Sequence, residues 1–275
     1  MDILIVGGSG HLGGWLVRLA RAGGHTVTAT YATRRPPDGD GVQWLPVDLR
    51  VPGRIAEAVD TVRPAVVINA SSGGADWAVT ADGAARVAAA ARARGRRLVH
   101  VSSDAVFSGT SVRYDEDSLP DPITPYGAAK AAAETAVRAL DPSAAVARTS
   151  LIIGDGDSAH EELVRALATG RRRGMLFTDD IRCPVYAGDL AAALLEVAAG
   201  DHTGIVHLAG ADALSRHELG MLIARRDGYD PGALPHGRRA RTGAAALDVR
   251  LDGTRTQERL NTRLRGAREF LRPGR

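Results

Sequence analysis

Ile3-Leu4-Ile5-Val6-Gly7-Gly8-Ser9-Gly10-His11-Leu12-Gly13-Gly14 decides how the chain folds. The first four residues form an unbroken aliphatic run, the composition of a strand buried on both faces of a parallel sheet. A glycine turn follows at once, and Trp15-Leu16-Val17-Arg18-Leu19-Ala20 reads as a helix. Gly7, Gly10 and Gly13 remove Cβ atoms where a chain must turn tightly, approach a pyrophosphate, and pack a helix on a strand. His11 and Leu12 share that turn. The new helix directs its free N–H groups and positive dipole end at the same anion. Strand, glycines and helix in this order predict a dinucleotide site.

The rest of the chain alternates in the same way. Strands are expected at 25–30, 42–47, 64–69, 97–102 and 144–149, with helices at 55–62, 83–95 and from Thr124 or Pro125 to Leu140. That spacing predicts an α/β fold, a doubly wound parallel (Rossmann) sheet, with a small C-terminal substrate-binding lobe. Residues 1–150 form the expected dinucleotide domain, with 181–209 returning to it. Residues 151–180 and 210–275 form the lobe. Within it Ser215 and Glu218 predict a capping box for a helix over 216–226. Residues 228–245 read as a mobile loop, and 254–271 as one or two short helices.

Composition excludes several functions. The 275 residues are 44% hydrophobic and 24% charged, with a net charge of +3. No apolar stretch approaches the ~20 residues that span a bilayer. Met1-Asp2 leads straight into the first strand, so a cytoplasmic protein without a leader peptide is expected. Cys183, the single cysteine, forbids an internal disulfide or a cysteine-rich metal site. Basic residues are spread along the chain without interleaved aromatics, which argues against nucleic acid. His11, as a metal ligand, is isolated and reads as loop; His100 reads as core. Asp155-x-Asp157 and Asp179-Asp180 read as surface loops, so no metal is expected. Arg171 to Arg173 and Arg238-Arg239-x-Arg241 read as solvated faces that could meet a substrate pyrophosphate.

Lys130 is the only lysine among 35 basic residues. It lies four residues after Tyr126 on one face of the helix that Pro125 opens. A nearby ammonium stabilises a phenolate and draws the tyrosine pKa of about 10 towards neutrality. Being compact, it can also donate to a ribose, which the broad arginine fork does less well. Ser103 ends the preceding strand, where a hydroxyl can hold a substrate carbonyl.

Gly7-x-x-Gly10-x-x-Gly13, Asp48-Leu49, Asn69-Ala70-Ser71, Ser102-Ser103-Asp104, Tyr126-x-x-x-Lys130 and Arg148-Thr149-Ser150 together resemble an extended short-chain dehydrogenase/reductase. Within that superfamily the chain is most similar to the dTDP-4-dehydrorhamnose reductase family of sugar-nucleotide reductases. The resemblance implies that Tyr126 donates the proton, Ser103 holds the keto oxygen, and Lys130 anchors the ribose. It implies that Asp48 and Leu49 contact adenine, that Asn69, Ala70 and Ser71 border the nicotinamide-side ribose, and that Thr149 lies near the nicotinamide. Thr80 stands where the family carries asparagine, in a segment shorter than the family pattern. Ala105 replaces a tyrosine and cannot act as the acid of a dehydratase.

Between Thr26 and Pro37 no acid is present to bind a 2′-hydroxyl, whereas Arg34 and Arg35 are. With Tyr31 they complete the expected cofactor set, and they predict NADPH, with NADH as the lesser possibility. The expected function is NADPH-dependent reduction of a keto group on a dTDP-linked 4-keto-deoxysugar by a monomer or homodimer. Two alternatives stay open: another carbonyl reductase or sugar-nucleotide epimerase, and a non-catalytic NADP-binding regulatory or sensor protein.

Overall fold

A computed structural model describes residues 1–37, 41–239 and 245–273. Seven strands form the main sheet: β1 (Asp2–Val6), β2 (Thr26–Tyr31), β3 (Gln43–Pro46), β4 (Val66–Asn69), β5 (Arg97–Ser103), β6 (Ala145–Thr149) and β7 (Gly204–Leu208). Their order is β7-β6-β5-β4-β1-β2-β3. The pairings from β3 through β2, β1 and β4 to β5 are all parallel. The chain winds outward from β1 to β3 and then returns to β4 on the other side of β1. Such a reversal opens a crevice at the carboxyl ends of the strands, between β1 and β4. All four residues of β4 and the last four of β1 are buried, as their aliphatic runs require.

The helices follow from their apolar periodicity. α1 (His11–Ala22) turns Leu12, Leu16, Val17 and Ala20 inward. It begins at His11 rather than near Trp15, so His11 is helical and not loop. Gly10 is its N-cap, and Gly13 and Gly14 lie within the first turn. α2 (Arg54–Val62), the single-turn α3 (Trp77–Thr80), α4 (Asp82–Ala93) and α5 (Pro125–Leu140) follow. Leu4, Val6, Val67, Leu98 and Val146 of the sheet meet Val59, Val87 and Val137 of the helices in one core.

The chain forms two compact units. Residues 1–103, 125–148 and 191–206 make the first, including most of α7 (Ala187–Ala199). Residues 104–124, 149–190 and 207–275 make the second. This division differs from the expected one in giving 104–124, 149–150, 181–190 and 207–209 to the second unit. Strand pairing is the reason: Arg113–Tyr114 runs parallel to Arg250–Leu251, and Ile181–Arg182 antiparallel to Leu214–Ser215. The lobe is therefore assembled from three chain segments rather than from the C-terminus alone.

The second unit's core joins Val164 and Leu167 of α6 (Ala159–Ala168) to Leu219 and Ile223 of α8 (Arg216–Arg226), with Leu176 and Phe270. Ser215 and Glu218 form the expected capping box, both hydrogen bonds being present. Residues 228–239 are not plain loop. An Asp230-capped turn covers Pro231–Ala233, and His236–Gly237 pairs with Leu176–Phe177. The tail forms α9 (Thr254–Gln257) and α10 (Ala267–Phe270).

Two neighbouring glycines test how α1 is seated. A Cβ on Gly13 would strike the Gly7 carbonyl oxygen and stand 2.7 Å from Gly8 Cα. On Gly14 it would meet only the far end of Arg18, at 3.9 Å. Gly13→Ala should therefore destabilise the fold by about 1–3 kcal/mol through overpacking. Gly14→Ala should be neutral or stabilise it by up to about 1 kcal/mol through helix propensity. Urea unfolding of the two variants checks the contrast; equal midpoints would contradict the packing of α1 on the turn.

Candidate active site

In the first unit the carboxyl ends of β1 to β4 enclose a crevice of about 350 Å³. Gly7, Gly10, His11, Leu12, Asp48, Leu49, Ala70 and Ser71 all line it. Gly7 has φ +80°, and a Cβ there would stand 2.7 Å from Ser71 Cα, so only glycine lets these two turns approach. Gly7 donates its N–H to Thr30 Oγ1 at 3.0 Å, and Gly10 N donates to Gly7 O at 3.0 Å. Gly10 brings no side chain to cap α1, which leaves the helix entrance to an anion. A cradle free of Cβ atoms at the start of a helix fits a dinucleotide pyrophosphate. Gly13 lies behind the crevice and acts by letting α1 pack.

The lining also includes Thr30, Ala32, Arg50, Ser72 and Val79, which sequence reasoning missed. Tyr31 ends β2 half-buried, and Arg34 and Arg35 are exposed in the loop beyond it; none of the three lines the crevice. Arg50 does, and its signal was its place directly after Asp48-Leu49.

Ser103 ends β5, while Tyr126 and Lys130 lie one turn apart on α5. Lys130 is buried and donates to Val101 O at 3.0 Å, tying helix to strand. Burial pushes the Lys130 ammonium down to about 8, and the Glu134 carboxylate one turn further along pulls the other way. Glu134 is itself buried. It accepts from Ser102 Oγ at 2.5 Å, Arg148 Nη2 at 2.8 Å and Arg148 Nε at 3.1 Å. Arg148 is 1% exposed. The periodicity of α5 could have revealed this cluster, since Glu134 falls on the same inward stripe as Gly127, Lys130 and Val137.

A second buried chain runs from β5 to β4. Asn69 Oδ1 accepts from Ser71 Oγ at 2.6 Å and from Ser71 N at 3.2 Å, so its Nδ2 donates to His100 Nδ1 at 3.1 Å. That leaves the imidazole proton on Nε2. Burial, and then the charge of Lys130, push His100 down to about 3, which keeps it neutral. Asn69 thus lies beneath the crevice and fixes the turn carrying Ser71.

In the second unit a slot of about 260 Å³ lies between α6, α8 and Leu176–Phe177. Arg239 stands over the Phe177 ring at 5.4 Å and pairs with Asp180 at 2.7 Å. Asp180 is 1% exposed and also meets Arg182 at 3.0 Å and Arg216 at 3.5 Å. It is a carboxylate buried among arginines, not a surface-loop residue. Arg171 pairs with Glu162 on an exposed face, and Arg241 lies outside the described residues. Thr149 is buried and donates to Leu208 O at 2.8 Å; it belongs to the second unit and does not line the crevice. Among the described residues no group of three His, Cys, Asp or Glu could hold a metal ion, and no helix is long and apolar enough to cross a membrane.

The family model of the RmlD substrate binding domain matches residues 1–272. The chain belongs to that family. A dTDP-4-dehydrorhamnose reductase of Mycolicibacterium smegmatis is 31% identical over 240 residues, 83% of this chain and 70% of the relative. A dTDP-4-keto-6-deoxy-D-glucose reductase of Streptomyces niveus is 32% identical over 244 residues, 83% of this chain and 80% of the relative. The crystal structure of dTDP-4-dehydrorhamnose reductase from Bacillus anthracis in complex with NADP matches with a TM-score of 0.83 at 21% identity, over 98% of this chain and 97% of that one. The chain is an oxidoreductase of the RmlD family. Thr80 is buried, donates to Gly74 O at 2.8 Å and accepts from Gly73 N at 3.1 Å, and so staples the segment that precedes its own helix.

The single lysine makes the electrostatics directly measurable. Protein labelled with ¹⁵N-lysine should give one side-chain ammonium signal, titrating near pH 8. In Glu134→Gln burial is no longer opposed by the carboxylate, so the midpoint should fall further. A midpoint that stays in place would show that Glu134 does not act on Lys130.

Proposed function

We propose that the protein reduces the keto group of a dTDP-linked 4-keto-6-deoxysugar with NADPH, Tyr126 being the proton donor. The observation that carries this reading is the buried ammonium of Lys130 one helical turn from Tyr126, on the helix packed beside Ser103. A reduced nicotinamide, when bound, supplies the hydride. Tyr126 gives its phenolic proton to the keto oxygen as negative charge develops there, and Ser103 donates a hydrogen bond to the same oxygen. Lys130 stabilises the phenolate left behind and binds the ribose.

The names of the relatives support the sugar-nucleotide substrate. The slot lined by Arg216 and Arg239 supports it too, since these two guanidinium groups and Arg182 share the Asp180 carboxylate and their excess positive charge suits a nucleotide diphosphate. Arg34 and Arg35, with no acid between Thr26 and Pro37, favour the 2′-phosphate of NADPH.

Purified protein should oxidise NADPH with a dTDP-4-keto-6-deoxyhexose, with a higher kcat/KM than with NADH. Simple ketones lacking the nucleotide should be poor substrates. Tight NADPH binding without turnover over a panel of dTDP-4-keto sugars and other carbonyls would overturn the reading in favour of a sensor.

A further inference from the structure

Arg50 lies on the crevice wall between two carboxylates. Its Nη2 and Nε donate to Asp76 Oδ2 at 2.8 and 3.1 Å, and its Nη1 lies 3.4 Å from Asp48 Oδ2. Asp76 is in turn the N-cap of α3, accepting from Ala78 N at 3.1 Å, so it is held from behind. The guanidinium is planar and donates only in its plane. Three of its five N–H groups turn to Asp76 and Asp48, which fixes the plane and leaves its flat, cationic face for a ligand. The formal charge of the three side chains together is −1, which offers nothing to a phosphate. The crevice lining also includes Leu49, Ala32, Val47 and Val79, an apolar set suited to a flat ring.

From this geometry we infer that Arg50 is a base-stacking residue: it lays its guanidinium face on the adenine of the dinucleotide and does not read the 2′-phosphate. The inference rests on the dinucleotide reading of the crevice. Asp76 is then a positioning residue, holding the plane at the angle the base requires. It follows that the affinity Arg50 contributes is the same for NADPH and NADH, and that charge without a plane does not replace it.

Arg50 is half exposed and its ion pairs are solvated, so its replacement leaves the fold intact. Quenching of tryptophan fluorescence by NADPH, NADH and nicotinamide mononucleotide, which lacks adenine, gives three dissociation constants for each protein. In Arg50→Ala, Kd should rise about tenfold for NADPH and NADH alike, the scale of a stacked cation, and stay unchanged for the mononucleotide. Arg50→Lys should behave like Arg50→Ala. Loss confined to NADPH would make Arg50 a phosphate reader, and rescue by lysine would make it a simple charge; either overturns the proposal, as does an unchanged Kd. Failure of the unaltered protein to bind either dinucleotide would instead overturn the cofactor reading itself.

Discussion

Glu134 and Arg148 are two opposite charges taken almost wholly out of water, and the helix that carries Tyr126 and Lys130 is registered against them. Burying such a pair costs several kcal/mol per ion and is weak support for stability unless every polar atom is satisfied. Here Arg148 donates to both carboxylate oxygens, and Ser102 donates to Oε1. One side chain of α5 is thereby tied to β5 and to β6 at once. Ser102 precedes Ser103, and Glu134 lies one turn from Lys130 and two from Tyr126. The same contacts thus fix the helix that carries Lys130 and Tyr126 against the strand that carries Ser103. The Glu134 carboxylate also opposes the tendency of burial to strip Lys130 of its proton.

The glycine turn imposes the complementary constraint. Gly7 and Gly13 let β1, α1 and the Ala70-Ser71 turn approach more closely than any Cβ would permit. Asn69 then fixes Ser71 from below through His100, a histidine kept neutral by its surroundings. The crevice wall and the surroundings of Lys130 are built by one principle: polar groups locked by buried hydrogen bonds. Such locking holds groups in place without reorganisation.

Much of this was legible in the sequence because it is written in local patterns. Aliphatic runs gave the strands, glycine spacing gave the crevice, and the sole lysine gave Lys130. The capping box at Ser215 and Glu218 is likewise a four-residue pattern. What escaped depends on contacts between distant segments. Helix periodicity turns Glu134 inward, but its partner Arg148, fourteen positions away, comes beside it only in the fold. Asp180 reads as a surface acid until three arginines close round it. Residues 104–124 fall within the expected 1–150 domain, and join the second unit through distant partners: Arg250–Leu251, Thr256 on Glu116, and Ser150 on Asp104. Arg34 and Arg35 were conspicuous by charge, yet the crevice wall is made by Arg50.

The central claim is that Tyr126 delivers the proton. Single-turnover decay of nicotinamide absorbance tests it, with NADPH and a dTDP-4-keto-6-deoxyhexose mixed with the unaltered protein or with Tyr126→Phe. The phenylalanine variant should bind NADPH as tightly as the unaltered protein but transfer hydride at least about 10²-fold more slowly, the scale of a lost general acid. A variant that turns over at close to the unaltered rate would contradict the assignment of Tyr126.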